Sequence, residues 1–470
     1  MLNNGATALP YDLVVVNGLV VLEDRIEKVE IGVRDGRIAE IGASLERSGA
    51  RVIDAAGLAV LPGMIDAHVH FNEPGFGHWE GYATGSNALA AGGCTTFIDM
   101  PLNGVPPTVT VAALEQKRRR ARGVSLVDYG FWGGLMPGYL EQLPLLAKAG
   151  VVGFKAFMSS PGDEHEEAFR RSDDGTLLEG MKRIAELGKV LVLHAEDEDI
   201  VTRLSKLALS EGRRGAFDYS ASRPIEAELE AVSKALDYAR QAGCSLHFAH
   251  ISSEAAVKVI WQARRTGQDV TLETCPHYLT LTEDDFAHLG AVAKCAPPLR
   301  SAAEQARLWQ CLELGLIDLI ASDHSPCPAG LKEHTDMFAA WGGISGAQSS
   351  LELLVDEGYL KRGIPLTQIS QLLSGAPARR FGLHHRKGAI QVGHDADLVL
   401  VDLNGGYRLT ADRLFQRHMQ TPYMDRELGC KVRMTLLRGK AVYEEGLGTN
   451  QSRAGLECFL PRKKEKSNAL

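Results

Sequence analysis

The stretch IDAHVHFNEPG, Ile65 to Gly75, carries two histidines one residue apart at the end of an apolar run. Alternate residues of a strand point the same way, so His68 and His70 can aim two imidazoles at one point. Four more residues of ligating or catalytic type stand at or just past the ends of other apolar runs. They are Lys155 in VVGFKAF, His194 in KVLVLH, His250 in CSLHFAH and Asp323 directly after IDLIAS. Imidazoles and a carboxylate are the ligand types of a divalent-metal site. The lysine is the odd member, because an ammonium is costly to bury alone and repels cations. That difficulty disappears if the amine has reacted with carbon dioxide to form a carbamate, an anion whose two oxygens can bridge two metals.

The elements that must position these groups are legible as eight β-rich runs. They span Leu58–Asp66, Cys94–Met100, Val124–Trp132, Val151–Phe157, Lys189–His194, Cys244–His250, Asp269–Thr274 and Ile317–Ser322. Amphipathic stretches such as TVAALEQKRRRAR and EAELEAVSKALDYARQ lie between them. Strand then helix, eight times, predicts an α/β fold of the (β/α)8 TIM-barrel type, whose active sites gather at the C-terminal ends of the strands. Apolar runs of this kind fit parallel strands covered on both faces. Both chain ends read differently, as short strands broken by Asn-Gly and Asp-Gly turn signals. They are expected to pair into one small β-sandwich module. The expected divisions are residues 1–57 and 386–460 for the two parts of that module, 58–385 for the barrel and 461–470 for a flexible tail.

Composition narrows the function. Asp and Glu (59) outnumber Lys and Arg (51), a formal charge of −8, which argues against a general nucleic-acid binder. No apolar run is long enough to span a bilayer, so no membrane partner is expected. Eight cysteines occur without a CxxC pair, and the opening residues MLNNGATALPYD lack a signal-peptide pattern. Reduced thiols and a cytoplasmic location are the expectation.

The segments GMIDAHVHF, GFKAFMSS, LVLHAE, FAHISS and IASDHSP resemble the cyclic amidohydrolases of the amidohydrolase superfamily, which include dihydroorotases, hydantoinases and allantoinases. The resemblance covers nearly the whole chain. It implies two divalent metals per subunit, one held by His68, His70 and Asp323 and the other by His194 and His250. Lys155, carboxylated to N6-carboxylysine, and a hydroxide would bridge them. Every ligand position is filled. Zinc suits this donor set best, with cobalt, manganese and iron also acceptable. The resemblance further implies a hydroxide nucleophile, Asp323 as the catalytic group that moves its proton to the leaving nitrogen, and a homotetramer.

Within the group, dihydroorotases carry an arginine in HxHxRxPG that grips a substrate carboxylate. This chain has Asn72 there. Hydantoinases carry a tyrosine five residues after the bridging lysine, where this chain has Ser160. The run from His70 to Asn103 and the segment AWGGISGAQ look most like the allantoinase members, which implies hydrolysis of allantoin to allantoate in ureide breakdown. Asn72, Asn103 and Gly342 are the candidate substrate contacts, with backbone groups of Lys294–Arg300 and Trp341–Gly346 around them. Alternatives are a hydantoinase (dihydropyrimidinase) or dihydroorotase, a mononuclear deaminase and a metal-free scaffold homologue. A deaminase would need an HxxE motif, not found after His250, and a scaffold would have lost ligands.

Overall fold

The computed structural model describes residues 10–162, 167–450 and 455–459. The expected tail at 461–470 lies outside these described residues. The chain is a mixed α/β protein. Among the described residues eight parallel strands form its centre, the third continued past Trp132 by the short strand Gly133–Gly134, and helical segments follow each of the eight. One sheet runs in the order Asp128–Phe131, Cys94–Asp99, Met64–Val69. A second runs Gly133–Gly134, Phe154–Phe157, Val190–His194, Ser245–Phe248, Val270–Thr274, Leu319–Ile320. Val152 N–H donates to Phe131 O at 2.9 Å, which joins the two at one edge. At the other edge Val69 bridges His324 in parallel, and His70 N–H donates to His324 O at 2.8 Å.

The strands are short and mostly buried, Met64–Val69, Cys94–Asp99 and Val190–His194 along their whole length, as parallel strands covered on both faces are. The helices that follow begin where the sequence supplies caps. Thr110, Asp173, Asp197, Ser253 and Ser301 each accept from a backbone N–H three residues on. The two amphipathic stretches become helices Val111–Ala121 and Ile225–Ala242. No helix among the described residues is long and apolar enough to cross a membrane.

Outside the central set, a seven-stranded sheet draws on both chain ends and a four-stranded one on the N-terminal end alone. The seven-stranded one places Leu58–Pro62 between Leu398–Asp402 and Leu19–Val21. The four-stranded one runs Arg37–Gly42, Glu30–Arg34, Leu13–Val16, Arg51–Asp54. Leu13 and Ile31 of the second pack in one buried cluster with Val60, Leu398 and Leu436 of the first. The Asp35-Gly36 signal is a two-residue hairpin turn with positive φ at both positions.

The run Leu58–Asp66, read as one barrel strand, is two elements. Leu58–Pro62 belongs to the sheet made by the chain ends, and Met64–Val69 to the central parallel set. Gly63 makes the crossing, because a Cβ there would lie 2.2 Å from Thr95 Oγ1. A buried ion-pair knot ties the two regions together. Lys387 Nζ lies 2.8 Å from Asp128 on the third parallel strand and also pairs with Asp397, beside Leu398–Asp402. Arg438 reaches the same Asp128 carboxylate at 2.6 Å. The close carboxylates of Asp128, Asp395 and Asp397 are therefore neutralised by side chains of the chain itself.

Candidate metal centre

The C-terminal ends of the parallel strands bring the sequence-nominated residues to one cavity. His68, His70, His194, His250 and Asp323 all line it. His68 Nε2 and His70 Nε2 lie 3.2 and 3.3 Å from Asp323 Oδ1. Three ligand atoms, one from each, fall within 4.8 Å of one another, close enough to hold one ion. His194 Nδ1 faces His250 Nε2 at 3.1 Å, and the His68 and His250 rings are 5.5 Å apart. Two pairs of imidazoles thus sit side by side. His250 (φ 39°) and Asp323 (φ 47°) both hold left-handed backbone, a conformation that side chains rarely adopt and that concentrates at functional sites.

Lys155 lies fully buried on the fourth strand, with its Nζ 5.0 Å from the Phe157 ring centroid. That Nζ has no hydrogen-bond partner among the described residues. Burial brings its pKa down to about 8, against the opposing pull of Glu273 and Asp323. A fraction of the amine is therefore neutral near physiological pH, the form that reacts with carbon dioxide.

Protonation states elsewhere suit metal binding. Burial lowers the pKa values of His70 and His194, and that of His250 falls well below the usual range. For Asp323 burial works upward, but His68 and the hydrogen bond from His70 prevail and hold the carboxyl well below the carboxylate range. Neutral imidazoles beside an ionised carboxylate are the states a cation needs.

Behind these groups stands a layer that sequence reasoning did not single out. Glu273 takes His68 Nδ1 at 2.5 Å and His247 Nε2 at 3.0 Å. Thr271 Oγ1 closes the chain on His247 Nδ1 at 2.8 Å. Glu196 holds His194 Nε2 at 2.7 Å and is paired with Arg223. Each carboxylate fixes which ring nitrogen faces the cavity, as partners of metal-ligating histidines do. The available signal was a Glu inside an apolar strand, DVTLET, and a Glu two residues past a strand-end histidine, HAE.

The three candidate substrate contacts divide. Asn103 and Gly342 line the cavity. Asn72 does not. Its backbone is left-handed (φ 65°), and its Nδ2 donates to Pro326 O at 3.3 Å, tying the first loop to the loop after Asp323. His324 points away from the centre, its Nδ1 accepting from Gly346 and Ala347 N–H at 3.2 and 3.3 Å. Gly343 (φ 135°) packs so close that a Cβ would lie 2.3 Å from Ser325 O, which holds the Trp341–Gly346 loop over the site.

A sequence profile of the amidohydrolase family matches residues 59–442, most of the chain and all of the centre. The chain belongs to the amidohydrolase family. This amidohydrolase is 49% identical over 432 residues to an allantoinase of Solibacter usitatus, covering 92% of this chain and 93% of that one. It is 46% identical over 448 residues to an allantoinase of Deinococcus radiodurans, covering 95% and 99%. Among solved structures, the L-hydantoinase (dihydropyrimidinase) of Arthrobacter aurescens superposes with a TM-score of 0.91 at 36% identity, covering 96% of this amidohydrolase and 100% of that chain.

Proposed function

We propose that this amidohydrolase is an allantoinase, opening the hydantoin ring of allantoin to give allantoate. The observation that carries the reading is the convergence of four imidazoles and the ionised Asp323 on one cavity, with the buried, unpartnered amine of Lys155 close by. Its support from comparison is the identity to allantoinases over more than nine-tenths of the chain. The proposed architecture is a closed (β/α)8 barrel with a β-sandwich made from both chain ends. The edge contacts Val69–His324 and Val152–Phe131 support closure.

The residues fit a two-metal centre. A buried lysine amine with no partner is anomalous in a protein, and carboxylation would give it both charge and purpose. His68, His70 and Asp323 would hold one divalent ion, His194 and His250 the second, and N6-carboxylated Lys155 would serve both. Zinc suits these donors best. Divalent ions held there supply Lewis acidity and an activated water.

The chain's own residues do the rest. Asp323, held ionised beside His68 and His70, takes a proton from the attacking water and delivers it to the ring nitrogen that leaves. Oxygen bonds to the carbonyl carbon, the ring C–N bond breaks, and the nitrogen keeps one proton. The new carboxylic acid loses the other to solvent. Asn103 and backbone groups about Gly342 offer hydrogen bonds to the substrate, while Asn72 shapes the loop behind them. The small cavity, about 280 Å³, suits a single small ring. A cytoplasmic homotetramer remains the expected form. The reading is tested by incubating metal-loaded enzyme with allantoin and following ring opening. Turnover abolished by Asp323→Asn supports it. A wild-type enzyme that leaves allantoin intact refutes it.

A further inference from the structure

Part of the cavity wall is built from hydrogen-bond donors. Lys294 and Arg223 both line the cavity and flank a single aromatic ring. Lys294 Nζ lies 4.5 Å from the Tyr219 ring centroid, and Arg223 Cζ lies 5.5 Å from the same centroid. Arg223 is committed through Nη1 to Glu196, but its Nε is buried without a partner among the described residues. Trp341 Nε1, on the neighbouring loop, is in the same position. Lys294 is only 5% exposed, yet it pairs with no carboxylate among the described residues, and its hydrogen bond there is to Ala340 O. A lysine amine has donors to spare beyond that one bond.

The unsatisfied groups on this stretch of wall therefore share one chemistry: they lack an acceptor. Buried polar groups without partners are costly, so their persistence in a cavity marks what the cavity is shaped to receive. Charge refines the choice. Burial, together with the Arg223 and Lys332 charges, pulls the Lys294 pKa down to about 7. Burial and neighbouring cations thus weaken the ammonium form of this amine, which suits it to a neutral acceptor and makes it a poorer partner for a carboxylate than a full cation. The reacting ring carbonyl belongs at the histidine–aspartate cluster, which leaves two acceptors for this wall, the second ring carbonyl and the oxygen of the arm; only the arm distinguishes allantoin from a bare ring.

We infer that Lys294, with Arg223 and Trp341 beside it, is a specificity-determining residue that reads a carbonyl oxygen on the substituent of the substrate ring. This rests on the allantoinase reading, for which that oxygen is the ureido oxygen. A site built to satisfy such an oxygen rejects rings that lack it, because the wall's donors are then left unpaired.

The test compares Lys294→Met and Lys294→Arg with wild type, using allantoin as substrate and unsubstituted hydantoin as a competitor that keeps the ring but lacks the arm. Lys294→Met is expected to lose about tenfold or more in kcat/KM for allantoin. Lys294→Arg, which restores donors but adds a permanent charge beside Arg223, should recover part of the activity that Lys294→Met loses. Hydantoin should not compete more weakly in either variant, and in Lys294→Met, where an unpaired donor is gone, any change should be toward tighter binding. A loss below about threefold in Lys294→Met overturns the inference, as does a Lys294→Arg enzyme equally impaired or a parallel weakening of hydantoin. Those results leave the allantoinase reading standing. A wild-type enzyme inert toward allantoin overturns the reading, and the inference with it.

Discussion

Glu273 holds the Nδ1 of His68 at 2.5 Å, on the opposite side of the imidazole from Asp323, which lies 3.2 Å from Nε2. One buried carboxylate therefore decides that Nε2 is the nitrogen presented to the cavity. The charges of His68 and His247, with their hydrogen bonds, overcome burial and bring the Glu273 carboxyl down to about 2. It is therefore an anion at neutral pH. Replacing it by Gln keeps the shape and removes the charge. Glu273→Gln is expected to weaken metal binding by about 10- to 100-fold, the range seen when such outer partners are lost. Competition against a chelator measures this directly. Unchanged affinity would show that His68 is oriented by packing alone.

Lys155 is the second point of test. Lys155→Ala and Lys155→Arg cannot form a carbamate, so each should lose most activity and part of the bound metal. Reconstitution of wild-type apoprotein with metal should improve with added bicarbonate, since the buried amine has a pKa of about 8 and needs carbon dioxide as partner. A Lys155→Ala enzyme with full activity and two metals per chain would remove the bridge from the account.

Away from the centre, Glu352 gives the fold a pH dependence of calculable sign. It is buried, accepting from Tyr407 Oη at 2.6 Å and Val432 N–H at 2.8 Å. Burial outweighs these bonds and raises its carboxyl to about 7. In the unfolded chain the group titrates at about 4.3. Between those values the folded state binds the extra proton, so this group's contribution to stability falls as pH rises from about 4.3 to about 7. The loss levels off above that, at roughly 3–4 kcal/mol. Glu352→Gln should therefore raise the melting temperature more at pH 8 than at pH 5. Thermal unfolding at the two pH values checks it, and a larger gain at pH 5 would reverse the sign.

Much of the fold and centre was legible because both are written in local patterns. Apolar runs marked the parallel strands, amphipathic stretches marked the helices Val111–Ala121 and Ile225–Ala242, and the four histidines and Asp323 stood at or just past run ends that the fold brings to one cavity. What was hidden depends on contacts distant in sequence. Nothing local to Leu58–Asp66 reveals that its first half pairs with Leu398–Asp402, since both halves are equally apolar and only Gly63 divides them. Glu273 and Glu196 read as single charges until the fold sets them behind His68 and His194. Lys294 read as part of a loop offering backbone groups, but its side chain lines the cavity. Asn72 stood at a position of substrate recognition in the resemblance, whereas its left-handed backbone sets its amide on Pro326.

The choice among cyclic amides turns on charge. A carboxylate substrate such as dihydroorotate calls for a cationic fork. Position 72 is Asn, the Arg223 guanidinium is already paired with Glu196, and Lys294 titrates near 7. A desolvated carboxylate without a matched partner costs about 1–3 kcal/mol or more, a factor of roughly ten to over a hundred. Allantoin carries no charge and brings a ureido arm that donors can satisfy. The direct measurement is kcat/KM for allantoin and for dihydroorotate on the same preparation at equal metal loading. The account predicts a ratio of at least about ten in favour of allantoin. Equal or better turnover of dihydroorotate would contradict it.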